Sequence, residues 1–117
     1  MKRDYRLFIK DIINAMSAIE EFVGELTFED FIKDDKTLSA VIRKFEIVGE
    51  ATKNIPDNIR QRYPYIPWKL MAGMRDRLIH AYFGIDYKLV WYTVKTEIPK
   101  LKPKLQKILE ELEGNIT

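Results

Sequence analysis

The stretch YRLFIKDIINAMSAIEEFVG, residues 5–24, indicates the fold class of this chain. Its apolar residues recur every three or four positions, which places them on one face of an α-helix. They are Leu7, Phe8, Ile12, Ile13, Met16, Ile19, Phe22 and Val23. Gly24 is expected to end the helix, since glycine often follows a last helical turn. Because no segment of the chain shows the sustained apolar and polar alternation of a strand, the sequence predicts an all-α protein.

Two further helices are predicted before the middle of the chain. Thr27 and Asp30 form a capping-box-like signal for a short second helix. A third helix is expected to begin at a cap supplied by Asp34 or Asp35 and to be closed by Pro56. Its predicted core residues are Leu38, Val41, Ile42, Phe45, Ile47, Val48 and Ala51.

Gly49 stands in the middle of this third helix. A glycine there costs up to about 1 kcal/mol relative to alanine, so its presence calls for a reason. We expect Gly49, together with Ala51, to let another helix cross closely.

Prolines mark the expected boundaries and interruptions of helices in the second half of the chain. Between Pro56 and Pro67 the sequence predicts a connector with one helical turn at residues 57–62. A fourth helix is expected from Trp68 to about Phe83, with Pro67 in its first turn, where a missing N–H leaves nothing unpaired.

A last helix is predicted from Tyr87 to about Leu112, after a stop and cap at residues 84–86. Pro99 and Pro103 are expected to bend or split it, because each removes a hydrogen bond of the helix. The expected architecture is an up-down bundle of four main helices with a short extra helix, and the motif described below lies on the fourth.

Length and composition restrict the function. A chain of 117 residues with 46% hydrophobic residues fits one domain, residues 1–117. The absence of cysteine excludes disulfides, thiolate nucleophiles and Cys-type zinc sites, and a lone histidine, His80, excludes histidine-rich metal sites. Residues 1–35 carry five basic against nine acidic residues, and residues 36–117 carry fifteen against nine, which is compatible with a polyanionic partner. With neither a membrane-length apolar run nor a signal peptide, we expect a soluble cytoplasmic protein.

The fourth predicted helix has two apolar faces at about 100° per residue. Its core face comprises Leu70, Met71, Met74, Leu78 and Ala81, and the nearly opposite face comprises Ala72, Ile79 and Phe83. A second apolar face on a small bundle usually meets another subunit, most often across a two-fold axis. The pattern therefore predicts a homodimer.

Arg75 and His80 flank that second face, about 140° apart on a straight helix. Two-fold pairing is one way to bring them to a shared cleft, and a local break of the helix near Gly84 is another. Asp76 precedes His80 by four residues, so its carboxylate is expected to orient the imidazole.

An imidazole and a guanidinium suit attack on a phosphodiester. The imidazole can take a proton from a hydroxyl near neutral pH, and the guanidinium matches phosphate oxygens. In RNA the ribose 2′-hydroxyl is an internal nucleophile, so cleavage needs no metal and leaves a cyclic phosphate. On spacing alone, however, one His and one Arg on a helix are more often surface or interface residues.

A basic and aromatic cluster precedes this pair and is a candidate RNA-binding surface. It comprises Arg60, Arg62, Tyr63, Tyr65, Trp68 and Lys69. The alternative is that these aromatic residues staple the fourth helix to the core. The acidic pairs Glu20/Glu21, Glu29/Asp30 and Asp34/Asp35 are expected to be solvated or to cap helices rather than to bind a metal.

The stretch MRDRLIHAY, residues 74–82, resembles the signature of HEPN-domain proteins, an Arg followed after four to six residues by a His. In the form Arg-x4-His-x-Tyr it resembles the HepT toxins of HepT/MntA toxin–antitoxin pairs. The flanking sequences agree over nearly the whole chain: they are Gly49-Glu50-Ala51, Ile66-Pro67-Trp68, Gly84-Ile85-Asp86 and Val90-Trp91.

The resemblance implies a homodimeric, metal-independent ribonuclease that needs no cofactor and is neutralised by an MNT-type nucleotidyltransferase antitoxin. Arg75 would hold the scissile phosphate and His80 would act as general base, with Asp76 and Arg77 in support. Asp76 stands where many HEPN nucleases have Asn. Tyr82 corresponds to the tyrosine that the nucleotidyltransferase can modify with AMP. The alternative is a non-catalytic HEPN module that binds nucleotide or assembles with a nucleotidyltransferase.

Overall fold

A computed structural model describes residues 3–80 and 84–114 of the chain, and within these ranges nearly all regular structure is helical, as predicted. The elements are α1 (Tyr5–Val23), α2 (Phe28–Lys33), α3 (Asp35–Lys53), α4 (Asp57–Arg62), α5 (Trp68–Ala72), α6 (Met74–Leu78), β1 (Ile79–His80), β2 (Gly84–Ile85), α7 (Tyr87–Tyr92), a π-helical turn (Thr93–Glu97) and α8 (Ile98–Leu112). Among these described elements, no helix is long and apolar enough to cross a membrane.

The longest helices form the core of the bundle. The apolar face of α1 packs along α3 and also contacts α8. Fully buried side chains from these three helices include Ile12, Phe45 and Leu105. The predicted first helix is confirmed, and it ends at Gly24, whose φ of 48° suits a residue without a side chain.

The helix starts also follow the predicted caps. The Thr27 hydroxyl accepts a hydrogen bond from the Asp30 N–H at 3.1 Å, at the start of α2. Of the two candidates for α3, Asp34 is the cap: its carboxylate accepts bonds from the Thr37 N–H at 3.0 Å and the Thr37 hydroxyl at 2.8 Å. These bonds lower the pKa of Asp34.

Gly49 marks the crossing of α3 and α5. A β-carbon built on Gly49 would lie 3.2 Å from the carbonyl oxygen of Ala72, the last residue of α5. The close helix crossing expected from the sequence is therefore confirmed for Gly49, since a side chain there would push the two backbones apart. Ala51 is buried in the core.

The prediction of one long fourth helix from Trp68 to about Phe83 is wrong. The chain breaks at Gly73 between α5 and α6 and leaves helical geometry at Ile79, whose φ and ψ are −123° and 116°. Ile79–His80 then pairs antiparallel with Gly84–Ile85, so that Ile79 lies opposite Ile85 and His80 opposite Gly84. The hairpin forms in place of the expected helix because its two strands hydrogen-bond each other's backbone groups. In addition, Gly84 has a φ of 76°, a conformation that favours glycine.

The inference that this helix has two opposite apolar faces is wrong as well. Leu70, expected in the core, is 52% exposed, whereas Ile79, expected on the opposite face, packs against the core. Ala81 and Phe83 lie outside the described residues. A helical wheel cannot place residues beyond Leu78, because the helix ends there.

The last helix keeps a helical path from Tyr87 to Leu112 but contains a π-helical turn immediately before α8. Pro99 lies in the first turn of α8, where its missing N–H is tolerated, and Pro103 lies inside that helix. The predicted interruption is therefore found ahead of Pro99, while α8 continues through Pro103. The Asp86 carboxylate caps α7 by accepting from the Leu89 N–H at 3.1 Å.

Candidate functional site

Arg75 lies on the outer side of the short helix α6. Met74 and Leu78 of the same helix are buried and hold it against the core, which leaves the intervening charged side chains exposed. The side chain of Arg75 is 50% exposed, and its Nη1 lies 3.6 Å from Oδ1 of the neighbouring Asp76. A guanidinium held in this way remains accessible to a further anion.

A groove of about 270 Å³ runs beside Arg75, between α3 and the α5–α6 segment. It is lined by Arg43, Glu46, Gly49, Glu50, Lys53, Ala72, Arg75 and Asp76. Three cations and three carboxylates line it, and Lys53 Nζ lies 3.4 Å from Glu50 Oε1. Sequence reasoning missed the α3 residues of this groove, although the close approach at Gly49, which brings α3 next to Arg75, was the available signal.

His80 lies on β1 and is exposed. Successive residues of a strand point to opposite sides, so Ile79 packs against the core while His80 points outward. The helix is thus broken between Arg75 and His80, at Ile79 rather than near Gly84. No hydrogen bond or ion pair joins Arg75 to His80 in the part of the chain that the structure describes.

The other described motif residues, Asp76 and Arg77, do not gather around His80. Asp76 and His80 do not share a helix face, so the expected i, i+4 contact is absent, and Asp76 pairs with Arg75 instead. Arg77 lines a different depression, of about 170 Å³, together with Leu70. Tyr82 lies outside the described residues.

Arg60 and Trp68, two members of the predicted RNA-binding cluster, have structural partners within the fold. Arg60 Nε donates to the Ile55 carbonyl oxygen at 3.1 Å, and its Nη2 donates to the Thr52 carbonyl oxygen at 2.7 Å. Trp68 is buried, and its Nε1–H donates to the Tyr63 carbonyl oxygen at 3.0 Å. Trp68 is therefore closed to base stacking and staples α5 to the core, which was the alternative interpretation.

Of the other cluster members, Arg62, Tyr65 and Lys69 are exposed. The Arg62 guanidinium carbon lies 5.4 Å from the centroid of the Tyr63 ring, which also packs edge-on against Tyr65. Tyr63 itself is buried, and its hydroxyl donates to Glu111 Oε2 at 3.0 Å. Burial raises the pKa of Tyr63, and the hydrogen bond to Glu111 raises it further.

Two members of the acidic pairs have local roles in the fold. Asp34 caps α3, and Glu20 accepts a hydrogen bond from Lys102 Nζ at 2.6 Å. No group of three His, Asp or Glu side chains arranged to hold a metal ion occurs within residues 3–80 and 84–114.

Comparison with known proteins identifies the family. The family described as "Ribonuclease HepT-like" matches residues 12–108. A protein of Thermococcus cleftensis named "Probable ribonuclease HepT" is 54% identical over 108 residues, covering 92% of this chain and 98% of that protein. A Methanocaldococcus jannaschii protein named as a candidate RNase is 48% identical over 113 residues, covering 97% and 93% of the two chains. No solved structure gives a significant match. The chain belongs to the HepT-like ribonuclease family of the HEPN superfamily.

Proposed function

We propose that this protein is a metal-independent endoribonuclease that cleaves RNA, such as tRNA or mRNA, as the toxin of a toxin–antitoxin pair. The observation that carries the proposal is the exposure of both motif side chains, Arg75 and His80, on either side of a helix break. Among the described contacts, neither side chain binds a distant part of the fold: the Arg75 guanidinium pairs with its neighbour Asp76, and the His80 side chain makes no hydrogen bond. The names of the relatives support the same activity.

Each side chain has a defined chemical task in this proposal. Arg75 binds the non-bridging oxygens of the scissile phosphate and stabilises the charge that builds up on them in the transition state. His80 takes the proton of the ribose 2′-hydroxyl, whose oxygen then attacks the phosphorus. The bond to the 5′-oxygen breaks, that oxygen gains a proton, and a 2′,3′-cyclic phosphate remains.

A homodimer accounts for the second proton transfer. The reaction needs a base at the 2′-oxygen and an acid at the 5′-oxygen, and the chain has a single histidine. Two copies related by a two-fold axis supply two imidazoles and two guanidinium groups to one cleft. This argument replaces the one from a second apolar helix face, which the early end of α6 removes.

The proposed antitoxin is an MNT-type nucleotidyltransferase that acts in the same compartment, the cytoplasm. Transfer of AMP to Tyr82 would add a phosphate and a nucleoside two residues after His80. The added negative charge would repel the phosphates of an RNA substrate.

The test is cleavage of total RNA and tRNA in EDTA by the wild-type protein and by the variants Arg75→Ala and His80→Ala. We expect both variants to lose at least about 100-fold in rate, as is usual when a charge-stabilising group or a general base is removed. Product ends should carry cyclic phosphate. Lys104→Ala, which removes an exposed charge from α8, is the control and should cleave like wild type. Undiminished cleavage by either motif variant refutes the assignment.

The second candidate is a non-catalytic module that binds nucleotide or assembles with a nucleotidyltransferase. The ion pair between Arg75 and Asp76 favours it, because a carboxylate 3.6 Å from the guanidinium competes with a phosphate. This candidate predicts RNA or nucleotide binding that survives His80→Ala and no cleavage by wild type. Asp76→Asn distinguishes the two candidate functions. If the protein is a ribonuclease, this variant should cleave RNA faster than wild type, and if it is a non-catalytic module, the variant should cleave no RNA.

A further inference from the structure

A shallow depression of about 450 Å³ lies on the outer surface of α7 and the π-helical turn. Its lining residues, called here the α7 patch, are Phe28, Lys88, Trp91, Tyr92, Lys95 and Thr96. Three of the six are aromatic, and the charged residues among them are both lysines. This combination of rings and cations, without a carboxylate, suits a polyanion that carries flat groups.

The aromatic part of the patch is rigidly held. Trp91 packs edge-on against Phe28, with ring centroids 5.7 Å apart, and at a tilt against Phe31, with centroids 5.4 Å apart. Lys95 Nζ lies 4.9 Å from the centroid of the Trp91 ring. Tyr92, the next residue, is 51% exposed. A planar ligand therefore meets a preorganised tryptophan and an accessible tyrosine, which lowers the entropy lost on binding.

The two lysines bracket these rings. Lys88 and Lys95 are both exposed and lie seven positions apart, about 10 Å along the helix axis. The distance exceeds the reach of one phosphate group, so the pair fits successive phosphates of an extended strand better than a single nucleotide.

The backbone connects the α7 patch directly to the motif. Gly84 of β2 lies opposite His80, and the Asp86 N–H donates to the Leu78 carbonyl oxygen at 2.8 Å. Asp86 then caps α7, and Lys88 lies in the first turn of that helix. The motif strand and the first turn of α7 therefore adjoin in the fold.

We propose that the α7 patch binds single-stranded RNA beside the scissile linkage, with phosphates on Lys88 and Lys95 and a base stacked on Tyr92. The inference rests on the proposed function and adds a substrate-binding surface to it. The basic and aromatic cluster expected from the sequence has a different location, at residues 60–69. In that cluster, Arg60 and Trp68 donate hydrogen bonds to backbone carbonyl oxygens.

The test measures binding without cleavage. A fluorescently labelled single-stranded RNA of about 12 nucleotides with 2′-O-methyl groups has no free nucleophile, so its affinity is independent of catalysis. For the double variant Lys88→Gln/Lys95→Gln, the slope of log K against log salt should become shallower by about 1.4, since each phosphate contact on a single strand contributes about 0.7. Tyr92→Leu should weaken binding about fivefold or more through lost stacking.

Lys100→Gln/Lys104→Gln is the matched control, because it removes two exposed lysines from α8. It should keep the wild-type slope. Trp91 is left unchanged, since its contacts with Phe28 and Phe31 make its replacement a test of folding.

A slope for the Lys88/Lys95 variant equal to that of the control overturns the proposal. So does unchanged RNA affinity combined with a changed oligomeric state, which would make the patch a protein-docking face. Weakened binding in the patch variants supports it even when the wild-type protein cleaves no RNA, and that result would refute the proposed ribonuclease alone.

Discussion

Arg60 is expected to stabilise the fold, and its replacement by methionine separates that role from RNA binding. Its guanidinium donates to the carbonyl oxygens of Thr52 and Ile55. Thr52 belongs to the last turn of α3, and its carbonyl oxygen also accepts from the Ile55 N–H at 3.1 Å. Arg60→Met keeps an unbranched apolar stem but removes the charge and both hydrogen bonds.

The expected loss follows from those two bonds. A hydrogen bond from a charged donor contributes about 1.5–3 kcal/mol to stability. Because the site is half-buried and one side chain makes both bonds, we expect Arg60→Met to lower the free energy of unfolding by about 2–3 kcal/mol in total. For a chain of this length, that corresponds to a fall in Tm of roughly 6–15 °C.

Arg62→Met is the matched control, since it removes the same charge from the same short helix, α4. Arg62 is exposed and its described contact is with the face of the Tyr63 ring, a cation–π contact of about 0.5–1 kcal/mol. Urea unfolding followed by circular dichroism, at one protein concentration, should show a much lower midpoint for Arg60→Met at an unchanged m-value. Equal midpoints for the two variants, or a stable Arg60→Met protein with weakened RNA binding, would refute the reasoning.

Two further predictions concern the helix crossing and the alkaline limit of stability. Gly49→Leu should lower the free energy of unfolding, measured by thermal unfolding, by about 1–3 kcal/mol, because even its β-carbon would lie 3.2 Å from the Ala72 carbonyl oxygen. Gly49→Ala should lower it less. A leucine variant as stable as wild type would contradict the close crossing. Tyr63 has a pKa raised in the folded state, so its stabilising effect is complete below the unfolded pKa of about 10 and is lost as pH rises through the folded pKa. Tyr63→Phe should therefore show less loss of stability above about pH 10 than wild type, and identical alkaline profiles would exclude the hydroxyl as the cause.

The helices and their caps were predictable because their signals are local. The apolar spacing of α1 and the side-chain caps at Thr27 and Asp34 involve residues no more than four positions apart. Gly49 also revealed a close crossing, since an unexplained glycine inside a helix points to a neighbouring backbone.

The hairpin was not predictable by the same means. Strands of two residues, such as Ile79–His80, are too short to show an alternating pattern, and the apolar residues around them continue the spacing of a helix. The chain nevertheless leaves the helix at Ile79, which pairs with Ile85. The placement of Ile79 on an opposite apolar face, which extended the helical wheel past Leu78, is therefore wrong.

The sequence by itself determined which reactive side chains this protein has: the lone histidine and the arginine five residues before it, the pair to which we assign the attack on a phosphodiester. Tertiary structure alone decided which basic and aromatic side chains are accessible. It uses Arg60 and Trp68 to fasten the fold, and it gathers Lys88, Tyr92 and Lys95 on one surface. The reason is that residue type sets what a group can do, whereas its exposure depends on which distant segments pack against it.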